Sequence, residues 1–285
     1  MEMPVKLYNK PQLKRPYLVV GWPDAGQVGT MAVDYLKRKL NAQPLAEIDA
    51  HDFCFQPKSV VKMGIMEDME FTKNEFSYWK NESGENDLII FSSEPPDCWH
   101  YQFVNIVLDV AQQYGLERVC GVGGLWAGIL HTVEPRVFAV VNKLYLREDM
   151  KGYDMVDVRM SYHGPTSMNG MLLMAAQRRR IEGIGLWGEV PNYIAQMPSP
   201  RVCCAVLDVL TQMLRLKLDL GEIESQAEYA EQQIDKLVSY IREQRPDFDE
   251  YLEKLEKGMR PEPTVENKQG FFKEIEDFLR SQKGE

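Results

Sequence analysis

The sequence predicts an α/β fold in which a central, mostly parallel sheet is flanked by helices and followed by a C-terminal helical extension. Short apolar runs alternate with amphipathic stretches from residue 16 to residue 187, which is typical of strands joined by crossover helices. Glycine-rich turns follow several of these runs, and helical spacing takes over from residue 199. A chain of 285 residues is long enough to bury a large core.

The first predicted unit is a strand, a turn and a helix between residues 16 and 40. Residues 16–21 form an apolar run that ends in glycine, which indicates a buried strand. A glycine-rich turn follows over residues 21–29, and apolar side chains at helical spacing then predict a helix over residues 31–40. These three elements in this order begin an α/β layer architecture.

The same alternation continues along the chain. Helices are predicted over residues 101–114 and within residues 165–180. Gly123 and Gly124 are expected to turn the chain after the strand that precedes them. Further strands are predicted over residues 87–91, 118–122, 137–141 and 181–187, with two or three antiparallel strands inside residues 46–79 that include Val60-Val61 and residues 76–79.

Helical patterns dominate the last third of the chain. Ser199-Pro200 predicts a helix start, with Ser199 as the N-cap and Pro200 at the first helical position. Asp219 with Glu222 resembles a capping box, with Asp219 as the N-cap of a second helix. Apolar residues in this second helix follow in steps of four and three, which is heptad spacing. They are Ile223, Ala227, Ala230, Ile234, Leu237 and Ile241.

Two arrangements fit this heptad stripe. An antiparallel helical hairpin packed on the parent domain is favoured over an intermolecular coiled coil, because coiled coils need longer runs than about three heptads. Pro246 is expected to end the helix, and another short helix is predicted over residues 248–257. If the stripe instead faces another subunit, its interface residues are Ile223, Ala230, Ile234, Leu237 and Ile241.

The C-terminal segment is predicted to be a linker and an amphipathic helix. Residues 258–270 have the composition of a linker, and an apolar stripe predicts a short helix over residues 271–279. Such a helix is marginal by itself in water, so it docks either on its own domain or on a neighbouring subunit, and Phe272 and Phe278 are then interface candidates. The predicted units are an α/β domain of residues 1–218, a helical extension of residues 219–257 and this segment of residues 258–285.

Charge and composition argue against several classes of function. The formal net charge is −10, which disfavours a general nucleic-acid binder, because binding phosphates needs clustered lysine and arginine. No apolar run is long enough to cross a bilayer, and the N-terminus lacks the apolar core of a signal peptide, so we expect a cytoplasmic protein. Four histidines without metal-ligand spacing and five cysteines without a CxxC pair predict reduced thiols and no metal site. No cofactor is expected.

Weak candidates for a ligand site lie in loops at the predicted strand ends, where open α/β sheets carry their ligand crevice. Residues 21–29 precede a helix N-terminus, which attracts anions, but glycines there also suit a tight turn, and Asp24 would repel a phosphate. Thr166 and Ser167 are better explained as helix caps. No P-loop, dinucleotide fingerprint or nucleophile elbow occurs, so no catalytic residue is assigned. The candidates are Asp24, Gly26, Gly29, Glu94, His163, Thr166 and Asn169.

Three motifs carry a resemblance to a known family. They are Gly-Trp-Pro-Asp-Ala-Gly-Gln-Val-Gly at residues 21–29, Tyr-His-Gly-Pro-Thr-Ser-Met-Asn-Gly at residues 162–170, and Gly-Leu-Trp-Gly-Glu-Val-Pro-Asn-Tyr-Ile at residues 185–194. The third motif is the most specific, because its Trp-x-Glu-Val-Pro-x-Tyr core precedes a Ser-Pro helix start. Together they resemble the PAC2 family, which is named after proteasome assembly chaperone 2, over about residues 15–240.

The resemblance implies an α/β fold with a topology akin to that of nucleoside phosphorylases, and association with the same or other chains. The best understood members assist proteasome ring assembly, and some carry a C-terminal hydrophobic-Tyr-any tail that docks on the proteasome. Residues 281–285 depart from that tail, which argues against proteasome subunits as direct partners through it. We expect a non-enzymatic homo-oligomer that binds proteins, with assembly chaperone as its specific role. The alternative is a nucleotide- or nucleoside-binding protein or enzyme with a site at the C-terminal edge of the sheet.

Overall fold

A nine-stranded sheet forms the centre of the protein, and helices cover both of its faces. The structure, a computed structural model, describes residues 4–54, 57–82, 84–153 and 156–259. Its strands are β1 (Val5–Leu7), β2 (Tyr17–Gly21), β3 (Gln43–Ile48), β4 (Lys58–Lys62), β5 (Ile65–Glu70), β6 (Asn74–Trp79), β7 (Leu88–Ser93), β8 (Arg118–Ala127), β9 (Val137–Val141), β10 (Val156–Asp157) and β11 (Glu182–Pro191). Its helices are α1 (Val28–Lys39), α2 (His100–Gln112), α3 (Leu144–Met150), α4 (Met168–Arg178), α5 (Pro200–Leu214), α6 (Gly221–Gln244) and α7 (Pro246–Glu256).

The central sheet is parallel in its middle and antiparallel towards both sides, in the order β1-β3-β6-β7-β2-β8-β11-β9-β10. β7, β2, β8 and β11 run parallel to one another, which confirms the predicted α/β fold. β6, β3 and β1 on one side, and β9 on the other, run antiparallel to their inner neighbours. Residues 128–136 join β8 to β9 without a helix, and because a parallel return needs a crossover of a dozen residues or more, β9 runs back antiparallel.

The core lies in two layers on either side of the sheet, because successive strand residues point to opposite faces. Val19 faces the layer formed by α1 and α5, which contribute buried residues such as Leu36 and Val206. Val20 faces the layer formed by α2 and α4, where Phe103 is fully buried. No helix within the described ranges combines the length and the apolar character needed to cross a bilayer.

The C-terminal helices pack on the parent domain, which is the favoured of the two predicted arrangements. Ile223 is buried in the core beneath α1 and α5, and Ala230 is half-buried. Ala227 is buried, and the last three residues of the stripe join a third core. This core contains Tyr193, Ile194, Ile234, Leu237, Val238, Ile241, Phe248, Tyr251, Leu252 and Leu255. The candidate interface residues of the stripe thus lie in, or at the border of, the chain's own core. Phe272 and Phe278, with the predicted terminal helix, lie outside the described residues.

The helix starts follow the predicted positions but not always the predicted chemistry. Ser199 directly precedes α5, yet its side chain makes no capping bond. Leu220, rather than Asp219, is the N-cap residue of α6, although the Asp219 Oδ1 atom accepts a hydrogen bond from the Gly221 N–H at 3.0 Å. Ser167 caps α4 by accepting from the Gly170 N–H at 3.2 Å, as predicted.

Gly123 and Gly124 do not turn the chain, contrary to the prediction, because β8 runs through them to Ala127. These glycines instead leave room for a neighbouring segment. A β-carbon on Gly123 would lie 2.3 Å from the Asp24 Oδ2 atom, and one on Gly124 would lie 2.1 Å from the Ala25 carbonyl oxygen. Side chains are therefore excluded at both positions by the turn that packs on β8.

Residues 46–79 contain parts of four strands rather than two or three. β3 and β6 extend the central sheet on its antiparallel side. β4 and β5, which include Val60-Val61, form a separate hairpin that makes no hydrogen-bonded ladder with the central sheet. Neither β4 nor β5 has a fully buried residue. Their sequences therefore lack the alternation that marks a strand with one face in the core.

We predict that Gly124→Ala lowers the free energy of unfolding by about 1–3 kcal/mol, because the new methyl group meets a backbone carbonyl that cannot rotate away. The matched control is Gly221→Ala at the start of α6, where a β-carbon would come no closer than 3.2 Å to the end of the Asp219 side chain. Urea denaturation of both variants checks this. Equal stability of the two would contradict the packing described here.

Candidate functional site

The first candidate site lies where β2 and β8 approach the N-terminus of α1. Asp24 sits in the turn between β2 and α1 and is partly buried. Its Oδ1 atom accepts a hydrogen bond from the Gly29 N–H at 3.1 Å, and its Oδ2 atom accepts one from the Gly124 N–H at 2.8 Å. One carboxyl group therefore fastens the first turn of α1 to the middle of β8.

The electrostatic environment of Asp24 favours its neutral form more than usual. Burial raises the pKa of Asp24 to about 7, while the N–H groups of Gly29 and Gly124 act in the opposite direction because they stabilise the carboxylate. The partly positive N-terminus of a helix would otherwise attract an external anion. Here the protein places its own titratable carboxyl group at that position.

The glycines of the turn are needed for close packing. Gly26 has a φ of +65°, and a β-carbon on it would lie 2.8 Å from the Ser199 β-carbon. Its N–H donates to the Ala195 carbonyl at 2.7 Å, and its own carbonyl accepts from the Ser199 N–H at 2.8 Å. A β-carbon on Gly29 would lie 2.6 Å from the Trp22 carbonyl oxygen. Gly26 and Gly29 both donate their N–H groups to acceptors within the chain rather than to an external anion. This geometry supports the interpretation of residues 21–29 as a tight turn.

Asn169 approaches the same strand from the N-terminus of α4. Its Nδ2 atom donates to the Val122 carbonyl at 3.0 Å, and its amide group would lie 2.9 Å from a β-carbon on Gly121. Its Oδ1 atom is buried and has no hydrogen-bond partner among the described residues, and the same holds for the Trp22 Nε1 atom. Buried polar atoms are usually paired, so these two atoms are the strongest local signal of a binding requirement in this region.

The structure brings together four of the seven candidate residues around the middle of β8: Asp24, Gly26, Gly29 and Asn169. The other three candidates are exposed. Glu94 directly follows β7, and His163 lies in the loop before α4. Thr166 makes no capping bond to α4, and its hydroxyl instead lies 3.4 Å from the Ser167 carbonyl.

A second polar cluster, which was not among the candidate residues, joins the loop after β8 to α6. The Tyr193 hydroxyl accepts from the His131 backbone N–H at 2.7 Å and also lies 2.7 Å from the His131 Nδ1 atom. The His131 Nε2 atom then donates to the Asp235 Oδ1 atom at 2.9 Å. This chain of hydrogen bonds ties three separate elements together.

Ion pairs surround this cluster. The buried Glu189 carboxylate accepts two hydrogen bonds of 3.0 Å from Arg136, in a fork arrangement that suits guanidinium and carboxylate groups. Arg201 pairs with Glu134 at 2.6 Å and also with Glu231 on α6. Arg201 of α5 thus joins α6 to the loop between β8 and β9, whereas Arg136 and Glu189 join that loop to β11.

The cleft beside these ion pairs is small. Its lining includes His131, Glu189, Arg201 and Glu231, and its volume is about 20 Å³. That is room for about one water molecule and far below the hundreds of Å³ of a typical ligand pocket. The third motif contains Glu189 and Tyr193, so its unusual spacing was the available signal for this cluster.

Cys120 and Cys204 have the environment of structural residues. Burial raises the pKa of the Cys120 thiol to about 12 and that of the Cys204 thiol to about 11, so both remain protonated at neutral pH. Among the residues that the structure describes, no three histidine, cysteine or acidic side chains are grouped so that they could hold a metal ion.

The chain is similar to members of one protein family along most of its length. A sequence model of the PAC2 family matches residues 18–238. The crystal structure of PbaB from Pyrococcus furiosus, an archaeal proteasome activator, has a TM-score of 0.73 and 28% identity, and the match covers 83% of this chain and 99% of that one. An uncharacterized protein of Methanocaldococcus jannaschii is 26% identical over 81% of this chain and 86% of its own length. PbaA of Pyrococcus furiosus, an archaeal homolog of proteasome-assembly chaperone, shares the fold at 22% identity, with a TM-score of 0.61 and coverage of 85% of this chain and 100% of that one.

We predict that Asp24 makes stability fall as the pH rises from its ordinary pKa of 3.8 to about 7. In this window the folded state holds a proton that the unfolded state has already released, so the stabilising effect is complete at low pH and is lost towards neutral pH. The slope from one such group is at most about 1.4 kcal/mol per pH unit. Urea denaturation of the wild type and of Asp24→Asn between about pH 5 and pH 8 measures it.

Asp24→Asn should lose this slope. It should also be less stable than the wild type, because its amide nitrogen must face one of two backbone N–H donors. The exposed Asp52→Asn is the control and should keep the wild-type pH dependence. The assignment is wrong if the wild type and Asp24→Asn have equal slopes.

Proposed function

We propose, because the chain belongs to the PAC2 family, that it works by binding other proteins rather than by catalysing a reaction. The partner that we propose is the proteasome core particle or its subunits, with assembly or activation of that particle as the role. PbaB, whose sequence is 28% identical and is covered over 99% of its length, is a proteasome activator. PbaA, which shares the fold, is a homolog of a proteasome-assembly chaperone.

The observation that carries this proposal is the internal use of the motif residues. Asp24 binds the N–H groups of Gly29 and Gly124, Asn169 binds the Val122 carbonyl, and Glu189 binds Arg136. A catalytic group has to be aimed at a substrate position, in reach of the atom on which it acts. These polar groups are instead bonded within the fold. This arrangement supports a protein that acts as a scaffold and presents its surface to a partner.

The charge of the chain also supports a protein partner. A formal net charge of −10 creates a negative potential that attracts basic surfaces and raises the rate of encounter with them. The same charge opposes contact with nucleic acid. We further propose that the protein acts in the cytoplasm and as a homo-oligomer.

We predict that the purified protein binds core particles, or isolated core-particle subunits, from its own organism at low micromolar concentration. Size-exclusion chromatography with mass spectrometry measures co-elution, and binding should weaken between about 50 mM and 500 mM salt if the acidic surface contributes. A truncation after residue 259 is the comparison variant, and it tests whether contact lies on the described body of the protein. Absence of core-particle subunits from the complex at low salt would contradict the proposal.

A second candidate function is the binding of a nucleotide or nucleoside at the C-terminal edge of the sheet. It is favoured by two buried polar atoms that have no hydrogen-bond partner among the residues that the structure describes, Asn169 Oδ1 and Trp22 Nε1. One atom accepts and the other donates a hydrogen bond, which is the pairing that a base edge or a ribose hydroxyl offers. Such a ligand would need a larger opening than the cleft beside His131 provides.

A thermal-shift screen with nucleotides and nucleosides tests this candidate. A ligand at 100 times its dissociation constant stabilises the folded state by about 2.7 kcal/mol, which raises the midpoint by several degrees. If the site exists, Asn169→Ala should lose that shift while exposed Thr166→Ala retains it. No shift with any compound would exclude the candidate.

A further inference from the structure

We propose that the β4–β5 hairpin is a self-association surface, which packs face to face on the same hairpin of a second copy of this chain. This inference deepens the protein-binding function proposed above, because it assigns the homo-oligomer contact to a specific surface. The hairpin forms its own two-stranded sheet and makes no ladder with the central sheet. A two-stranded hairpin is at best marginally stable in water without further packing.

The strand register gives the hairpin one apolar face. Ser59 pairs with Met69, and Val61 pairs with Met66, so these four residues share a face. The exposed fractions of the three apolar residues are 55% for Val61, 60% for Met66 and 54% for Met69. Clusters of exposed apolar side chains of this kind mark interaction sites on soluble proteins.

The turn of the hairpin adds a fourth apolar side chain at an unfavourable backbone position. Met63 and Gly64 have φ angles of +50° and +82°, as the two central residues of a type I′ turn do. Asparagine or glycine is preferred at the first of these positions, because other side chains are strained there. Met63 is nevertheless fully exposed, so its side chain gains no packing against the described residues that offsets this strain. Contact with an external apolar surface would supply that packing.

The edges of the hairpin are protected against pairing, whereas its apolar face is not. β4 carries Lys58 and Lys62, and lysines on an exposed edge discourage the addition of another strand. β5 is bulged between its pairings with Val60 and Val61, which leaves Glu67 as the extra residue. A bulge also disrupts edge pairing. Association through the face is therefore favoured over extension of the sheet.

The charge distribution favours a second copy as the occupant. The opposite face of the hairpin carries charged pairs such as Lys58 with Glu70, and the whole hairpin has two lysines against three acidic residues. The hairpin is thus nearly neutral, in a chain whose formal net charge is −10. A basic partner would be drawn to other, more acidic parts of the surface, whereas the nearly neutral hairpin is the region where two copies of this acidic chain repel each other least. Two-fold contacts between identical patches are the commonest form of self-association, and they are more apolar than other interfaces.

The size of the face predicts how strong this association is. A standard interface buries about 800 Å² on each partner, which takes 20–30 residues a side. The hairpin face offers four apolar side chains, so by itself it supports weak and concentration-dependent pairing. Every side chain on the face should then contribute measurably.

A charge-swap experiment on the purified full chain tests the proposal. Met66→Glu with Met69→Glu places like charges opposite each other across a two-fold contact, and Met66→Lys with Met69→Lys does the same with the opposite sign. Each variant should raise the dissociation constant of self-association by about tenfold or more, as measured by sedimentation equilibrium over a concentration series. An equimolar mixture of the two variants should restore association, because glutamate then faces lysine.

The matched control is Val60→Glu with Ile65→Glu, which adds the same charge to the opposite face and should leave the dissociation constant unchanged. Unfolding midpoints of all variants should match the wild type, since the altered side chains are partly or largely exposed. A wild type that stays monomeric throughout the series, variants that associate as the wild type does, or a mixture that fails to restore association would each overturn the proposal. Core-particle binding is assayed separately on the same variants, so its loss or retention is distinguishable from the loss of self-association.

Discussion

The close approach of the turn after β2 to the middle of β8 is the constraint on which the rest of the fold depends. It requires glycine at positions 123 and 124, because side chains there would overlap Asp24 and Ala25. Through this contact one carboxyl group holds the first turn of α1 against the strand that pairs with both β2 and β11. The same turn also positions α5, because the Gly26 carbonyl accepts a hydrogen bond from the N–H of Ser199, the residue directly before α5. The two helices of one layer are thereby positioned from a single turn.

The attachment of the C-terminal helices relies on a different kind of interaction. The turn at Asp24 is held by neutral backbone groups, whereas α6 is held by the ion pair of Arg201 with Glu231. The loop before β9 is held on β11 by the pair of Arg136 with the buried Glu189. Breaking a buried pair by removing one partner is strongly destabilising, because it leaves an uncompensated charge. The third core, in which the Tyr193 ring contacts Phe248 of α7, adds apolar contacts between the C-terminal helices and the parent domain. The PAC2 motifs thus stabilise both the sheet and its helical extension.

The positions of individual strands and helices could be predicted from the sequence better than the contacts between them. The strands at Tyr17–Gly21 and Val137–Val141 were predicted because an apolar run is a local signal. A pair of glycines, however, looks the same whether the chain turns there or another segment packs against it, so β8 was cut short at Gly123. The antiparallel orientation of β9 depends on the loop of residues 128–136, which contains no helix and is too short for a parallel return. The contact between His131 and Asp235 joins residues that are 104 positions apart, and no local pattern encodes it. Of the candidate site, the sequence predicted the turn and Asn169 but not the cluster around His131.

The contact between Gly26 and Ser199 has a consequence for how the protein is made. A ribosome releases the chain from its N-terminus, and domains form as units during synthesis. The turn at Asp24 cannot be completed until residue 199 has emerged, because the Gly26 N–H donates to the Ala195 carbonyl and the Gly26 carbonyl accepts from the Ser199 N–H. β8 likewise waits for β11, which pairs with it along its whole length. The nascent chain therefore carries an unfinished and partly apolar sheet through most of its translation, a stage at which protection by general folding factors matters most.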